Sequence, residues 1–255
     1  MRIRASAVGI AVMAGLTGAC AYLRPARVPM SAVQFAPPRD GGQCLVLFLP
    51  GRANTPPAFA KEGFIRLAEQ AGVRAALVGA DAHLRYYMKE QVLVRLDEDI
   101  IGPARAAGVT RVVLVGVSLG GLGALLYARD HPGEIDGIVL LAPFLGYKDM
   151  IAEVQRAGGL ASWTPPARIA RRDFEHAVWQ FLKQTGTPGG PVPPLILAHG
   201  TRDTFERAHA LLAEALPGER VLTVDGGHDW RTWRALWQQV LASGAVQRWC
   251  AGGEQ

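Results

Sequence analysis

Five residues, Gly116-Val117-Ser118-Leu119-Gly120, carry the pattern Gly-X-Ser-X-Gly. In that pattern the serine occupies a very tight strand-to-helix turn, and small residues two before and two after let neighbouring backbone pass close by. A serine hydroxyl is a poor nucleophile at neutral pH. It needs an imidazole to take its proton and a carboxylate to orient that imidazole. Six histidines are available: His83, His131, His176, His199, His209 and His228. His228 and Asp203 each follow an apolar run by four residues, on loops at the carboxyl ends of strands, where ligand chemistry collects in open α/β sheets. His199 precedes Asp203 at a strand end and reads as a packing residue, and His209 falls inside a helix. Asp225 and Asp229 lie too close to His228 in sequence to face its ring well. The candidate set is Ser118, Asp203 and His228.

The elements that must hold these groups are legible from apolar runs. Residues 44–49 are continuously apolar and end at Pro50-Gly51, as a strand buried on both faces does. Further strands are expected at 73–79, 111–117, 136–142, 195–199 and 220–224, with helices at 58–71, 89–107, 119–129, 205–216 and 229–249. The alternation implies an α/β fold with a doubly wound, mostly parallel sheet. Residues 144–194 break the rhythm and read as a small helical cap, with a helix at 173–184, or as a longer helical crossover. Trp230, Trp233 and Trp237 recur at helical spacing and read as core. The loop 81–87 offers His83, Tyr86 and Tyr87 to a substrate pocket, and the cap offers Phe144 and Trp163.

Taken together, Gly116-Val-Ser-Leu-Gly120, His199-Gly-Thr-Arg-Asp203 and Gly226-Gly-His-Asp-Trp230 resemble the α/β-hydrolase fold family over roughly residues 44–248. The resemblance implies an esterase or lipase-like serine hydrolase acting on a small acyl ester, with Ser118 as nucleophile, His228 as base and then acid, and Asp203 as orienting acid. It also implies an oxyanion hole of two backbone N–H groups. One is Leu119. The family often places His-Gly after the first strand; Pro50-Gly51 stands there in this chain, so Arg52 is the second donor, with Ala53 as alternate. A non-catalytic binding protein of the same fold, and thioester or amide substrates, fit the same residues.

The 255-residue chain suits one large domain, residues 44–255, behind a lead-in tether at 24–43 that holds a short edge strand near 32–35. Apolar residues make up 49% and charged residues 19%, a balance that excludes a disordered chain. The net charge of +5 is scattered, which argues against nucleic acid as a partner. No dinucleotide fingerprint, phosphate loop or zinc spacing occurs, so no cofactor or metal is expected. Residues 1–23 read as an export segment: Arg2 and Arg4 precede an uncharged run from Ala5 to Leu23. Leu16-Thr-Gly-Ala-Cys20 resembles a lipobox, which would make Cys20 a lipidated first residue and tether the protein to a membrane. Ordinary cleavage near Ala19 or Ala21 and an uncleaved anchor are the competing readings. Export would allow Cys44 and Cys250 to pair, although their positions leave proximity open.

Overall fold

The computed structural model describes residues 24–38, 42–187 and 189–252. The export segment and Cys20 lie outside the described residues. Seven strands form one sheet. In chain order they are β1 (Ala32–Ala36), β2 (Cys44–Leu49), β3 (Ala76–Ala80), β4 (Arg111–Val117), β5 (Gly137–Leu141), β6 (Leu195–Gly200) and β7 (Val221–Val224). Their spatial order is β1-β3-β2-β4-β5-β6-β7. All neighbours run parallel except β1, which pairs antiparallel with β3.

The helices are α1 (Pro57–Lys61), α2 (Phe64–Gln70), α3 (Leu84–Met88), α4 (Val92–Leu96), α5 (Gly102–Ala106), α6 (Leu119–Asp130), α7 (Lys148–Arg156), α8 (Phe174–Leu182), α9 (Glu206–Ala213), α10 (Trp230–Ala242) and α11 (Ala245–Ala251). Side chains alternate across β2 as a period-two strand requires. Leu45, Leu47 and Leu49 face one core with Leu122, Leu125 and Trp179; Val46 and Phe48 face the other with Trp233 and Trp237. Burial on both faces explains why β2 reads as unbroken hydrophobicity. Among the described residues no helix is long and apolar enough to cross a membrane.

Several sequence expectations change. The lead-in at 24–43 is not simply a tether, because residues 24–36 belong to the fold. β1 closes the sheet edge, Met30 is buried, and Arg24 is ion-paired to Asp81 at 2.5 Å. The expected helix at 58–71 is two helices, because Gly63 adopts a left-handed φ of 85° that glycine alone takes without strain. The loop at 81–87 contains α3. The helix at 89–107 passes through a π-turn at Asp97–Ile101, and Pro103 withholds an N–H from the ladder there. The final helix breaks at Gly244, φ 71°. The cap contains α7 as well as α8; its Met150, Ile151 and Val154 are the buried face of an amphipathic turn that the sequence displays.

Cys44 and Cys250 form a disulfide, with Cα atoms 5.3 Å apart. α11 returns to the start of β2, and Trp249 covers Gly137 on β5, two strands away. The bridge closes a loop spanning 206 residues, so its loss widens the unfolded ensemble more than a short loop would. Replacing both cysteines with alanine should lower unfolding free energy by roughly 2–4 kcal/mol. Urea denaturation with and without the bridge measures this; an unchanged midpoint would mean that packing alone holds α11.

Candidate active site

β4 runs straight into α6, and the connecting residue is Ser118, at φ 53° and ψ −114°. That region is sparsely populated for residues with a Cβ and costs on the order of 1–3 kcal/mol. The surroundings over-determine it. A Cβ on Gly116 would collide with the Gly120 backbone, and one on Gly120 would collide with the Leu49 carbonyl. Both glycines are therefore packing requirements. Ser118 N–H donates to the Leu141 carbonyl at 3.0 Å, and the Ser118 carbonyl accepts from Gly121 N–H at 3.0 Å and Phe144 N–H at 2.9 Å. The turn is thus fixed by both flanking strands, and the hydroxyl is left free of these backbone bonds.

Two later loops supply the partners, and they are bonded to each other. Thr201 N–H donates to Val224 O and Arg202 N–H to Gly226 O, each at 2.9 Å. Across this junction His228 Nδ1 lies 2.8 Å from Asp203 Oδ2 and 3.1 Å from Oδ1. His228 Nε2 lies 2.9 Å from Ser118 Oγ. A carboxylate only accepts, so Nδ1 carries the proton and Nε2 presents its lone pair to the serine O–H. Phe205 and Trp233 meet the imidazole edge-on, with centroids at 5.0 and 4.9 Å, and hold its plane. The Asp203 side chain has no solvent exposure. Burial alone would raise its pKa, but hydrogen bonds from His228 and from Phe205 N–H (2.9 Å) outweigh burial and keep it below the ordinary carboxylate value.

The other expected residues sort plainly. Asp229 caps α10, accepting Thr232 N–H at 2.9 Å, and Asp225 is exposed beside Arg202. Leu119 opens α6, so its N–H has no partner within the helix and stands at the positive end of the helix dipole. Gly51 passes close to Ser118, since a Cβ there would sit 3.5 Å from the serine Cβ, and Arg52 follows it in a turn closed by Asn54 N–H to Gly51 O at 3.0 Å.

Phe144 lines two cavities beside the site. His83, Tyr86 and Trp163 line neither, which corrects their assignment to the pocket. His83 caps α3, Tyr86 donates to the Arg27 carbonyl at 2.9 Å, and Trp163 donates to Glu153 at 2.8 Å; all three are buried. Tyr87, one residue on from Tyr86, takes the lining position. Among the described residues no cluster of side chains could hold a metal.

Sequence reading passed over His209. It is fully buried on α9, its ring 4.9 Å from that of His199, and its Nε2–H donates to the Pro143 carbonyl at 2.9 Å. Its Nδ1 has no partner. The next N–H along, Phe144, is the one bonded to Ser118, so His209 ties the helix after Asp203 to the turn around the serine. Burial, opposed by the Pro143 bond, lowers its pKa to about 4.

Comparisons with known proteins bear on the fold. The serine aminopeptidase S33 family model matches residues 98–180, which include Ser118 but neither Asp203 nor His228. No curated protein sequence matches the chain. Among solved structures, the S-formylglutathione hydrolase FrmB of Staphylococcus aureus is 14% identical, with a TM-score of 0.55 over 84% of this chain and 83% of that one. Est1E of Butyrivibrio proteoclasticus is 17% identical, with a TM-score of 0.53 over 86% and 94%. A monoacylglycerol lipase of Paleococcus ferrophilus is 18% identical, with a TM-score of 0.53 over 86% and 98%. At these identities the likeness is one of fold.

A testable consequence attaches to His209. In the unfolded chain it gains a proton near 6.5, in the fold only near 4. Its contribution to stability is therefore complete above about 6.5 and is lost as pH falls toward 4. The wild type should lose on the order of 3 kcal/mol more than His209→Gln between pH 7 and pH 4. Urea titrations of both proteins across that range would show parallel curves if His209 were protonated in the fold.

Proposed function

We propose that the chain, which has the α/β-hydrolase fold, is a serine hydrolase that cleaves carboxylic esters through an acyl-enzyme on Ser118. The observation that carries this reading is the unbroken hydrogen-bonded line from Ser118 Oγ through His228 to Asp203. In the proposed reaction Ser118 Oγ attacks the ester carbonyl carbon while its proton passes to His228 Nε2. Asp203, buried and ionised, stabilises the imidazolium that results. The carbonyl oxygen becomes an oxyanion and is met by the N–H groups of Leu119 and Arg52. Collapse breaks the bond to the alcohol oxygen, which leaves with the proton from His228. Water, deprotonated by the same imidazole, then attacks the acyl carbon and releases the acid, restoring Ser118.

The hydrolase structures that share the fold support an ester, and the match to the serine aminopeptidase model favours an amide as second reading. The same atoms serve both, with the leaving nitrogen taking the proton instead of an oxygen. Parallel turnover of matched p-nitrophenyl esters and p-nitroanilides separates them.

For location, we propose export with lipidation at Cys20. The Cys44–Cys250 bond supports an oxidising compartment. Intact mass of membrane-derived protein should show an acylated Cys20 and no residues 1–19; an unmodified Cys20 excludes the lipid.

A fluorophosphonate should label the wild type and leave Ser118→Ala unlabelled, and that variant should lose at least about 10³-fold in kcat while staying folded. Asp203→Asn would leave the hydrogen-bonding geometry but favour the wrong tautomer of His228, lowering kcat by roughly 10⁴-fold. Retained turnover in Ser118→Ala would end the assignment.

A further inference from the structure

Among the described residues four large apolar side chains are exposed: Val28, Met88, Val94 and Tyr147. Single exposed hydrophobics are ordinary on a soluble protein, but these are not scattered. Met88 (64% exposed), Val94 (41%) and Tyr147 (63%) all line one groove of about 530 Å³, whose lining also includes Leu119, the residue after Ser118. The rim of this groove is charged as well as apolar. Its two acids are already satisfied: Asp130 pairs with Arg129 at 2.7 Å, and Glu90 with Arg172 at 2.8 Å. Arg171 on the same rim, Lys89 beside Met88, and Arg27 are exposed and have no ion-pair partner among the described residues. Exposed apolar side chains set among uncompensated cations suit a surface that lies on an anionic bilayer, with a tyrosine at headgroup level.

The lead-in fixes where the chain enters the fold. Arg24 reaches Asp81, the residue that follows β3, at 2.5 Å. The Arg27 N–H donates to the Tyr86 hydroxyl at 3.0 Å, and that hydroxyl donates to the Arg27 carbonyl at 2.9 Å. β3 runs parallel to β4 with β2 between them. Asp81 and Ser118 therefore stand at the same, carboxyl end of the sheet, on strands roughly 10 Å apart. Tyr86 belongs to α3, which also carries Met88 and supplies one wall of the groove. Only four residue steps separate Cys20 from Arg24. They reach at most roughly 14 Å, against a domain about 45 Å across. A bilayer that holds Cys20 is therefore close to the carboxyl end of the sheet and out of reach of its amino end.

We infer that the face formed by Met88, Val94, Tyr147 and Arg171 docks on the bilayer that anchors the chain, so that the groove opens onto lipid. This rests on the membrane-anchored reading of the N-terminal segment. An ester dissolved in that bilayer then meets the groove without crossing bulk water.

The test uses the full chain, purified from membranes and added to vesicles of phosphatidylglycerol and phosphatidylcholine that carry a spin-labelled headgroup lipid. A fluorophore is attached through Met88→Cys, through Val94→Cys or, near the amino end of β4, through the exposed Ala107→Cys. Cys44 and Cys250 are bridged and take no label, and the unsubstituted chain serves as the labelling blank. Quenching by the lipid should be about threefold or more stronger at positions 88 and 94 than at 107. Adding Met88→Glu and Arg171→Glu, both at exposed positions, to the chain labelled at 94 should cut its quenching by about half or more. Equal quenching at all three positions overturns the orientation. Strong quenching at 94 that survives the double substitution means that the tether alone holds the chain there, and it overturns the docking face. A chain cleaved without lipid stays in the supernatant when the vesicles are sedimented, which overturns the anchored reading and this inference with it. A chain that sediments with the vesicles and is quenched equally at all positions indicts the face alone.

Discussion

The close approach of Gly120 to the Leu49 carbonyl is the contact on which the rest depends. It presses the first turn of α6 onto the end of β2, and only glycine permits it. With the helix that close, the chain leaving β4 has no room for an ordinary turn, and Ser118 is forced to positive φ. Strain of this kind persists only where many bonds oppose its relaxation. They come from Leu141 and Phe144 as well as from the helix itself. The same press places the α6 N-terminus beside the serine, so the dipole that stabilises developing negative charge follows from the packing that exposes the hydroxyl.

Pre-organisation extends outward from that contact in layers. The loops bearing Asp203 and His228 are bonded to each other through backbone before their side chains meet. Phe205 and Trp233 fix the imidazole plane, and Trp233 belongs to α10, whose Trp237 stacks parallel to Phe64 and donates to its carbonyl. The aromatic stripe on the last helix is therefore core and also the back support of the base. α11 continues that layer and is bonded covalently to β2 through Cys44–Cys250. The chain's last helices and its first parallel strand are thereby held in one register with the site.

Much of this was legible in the sequence because strong local signals coincide with it. Apolar runs mark β2, β4, β5, β6 and β7, and the spacing of Ser118 to β4, of Asp203 to β6 and of His228 to β7 places all three at the carboxyl ends of the strands. What was hidden depends on tertiary contacts. The short edge strand near 32–35 is legible, but its pairing with the edge of β3 and the burial of Met30 before it are not local. Tyr86 and Tyr87 are chemically alike neighbours, and only the docking of α3 on α6 tells which faces the groove. His83 and Trp163 are polar-capable groups whose bonds to backbone and to Glu153 were invisible, so they read as pocket when they are core. His209 looked like an ordinary helical residue because its partner, Pro143, lies 66 positions away.

Phe144 shows why the cap and the elbow act as one unit. Its side chain is the wall between the two cavities, while its N–H donates to Ser118. The carbonyl just before it is held by His209, and Ala142 reaches it through a left-handed φ of 48°. The Phe144 ring and the backbone bonds that fix Ser118 therefore belong to one short segment. A fully buried imidazole, which burial keeps neutral well below neutral pH, anchors that segment, so its N–H remains a donor of constant charge. The two histidines differ in their access to water: His228 is partly exposed and His209 is sealed.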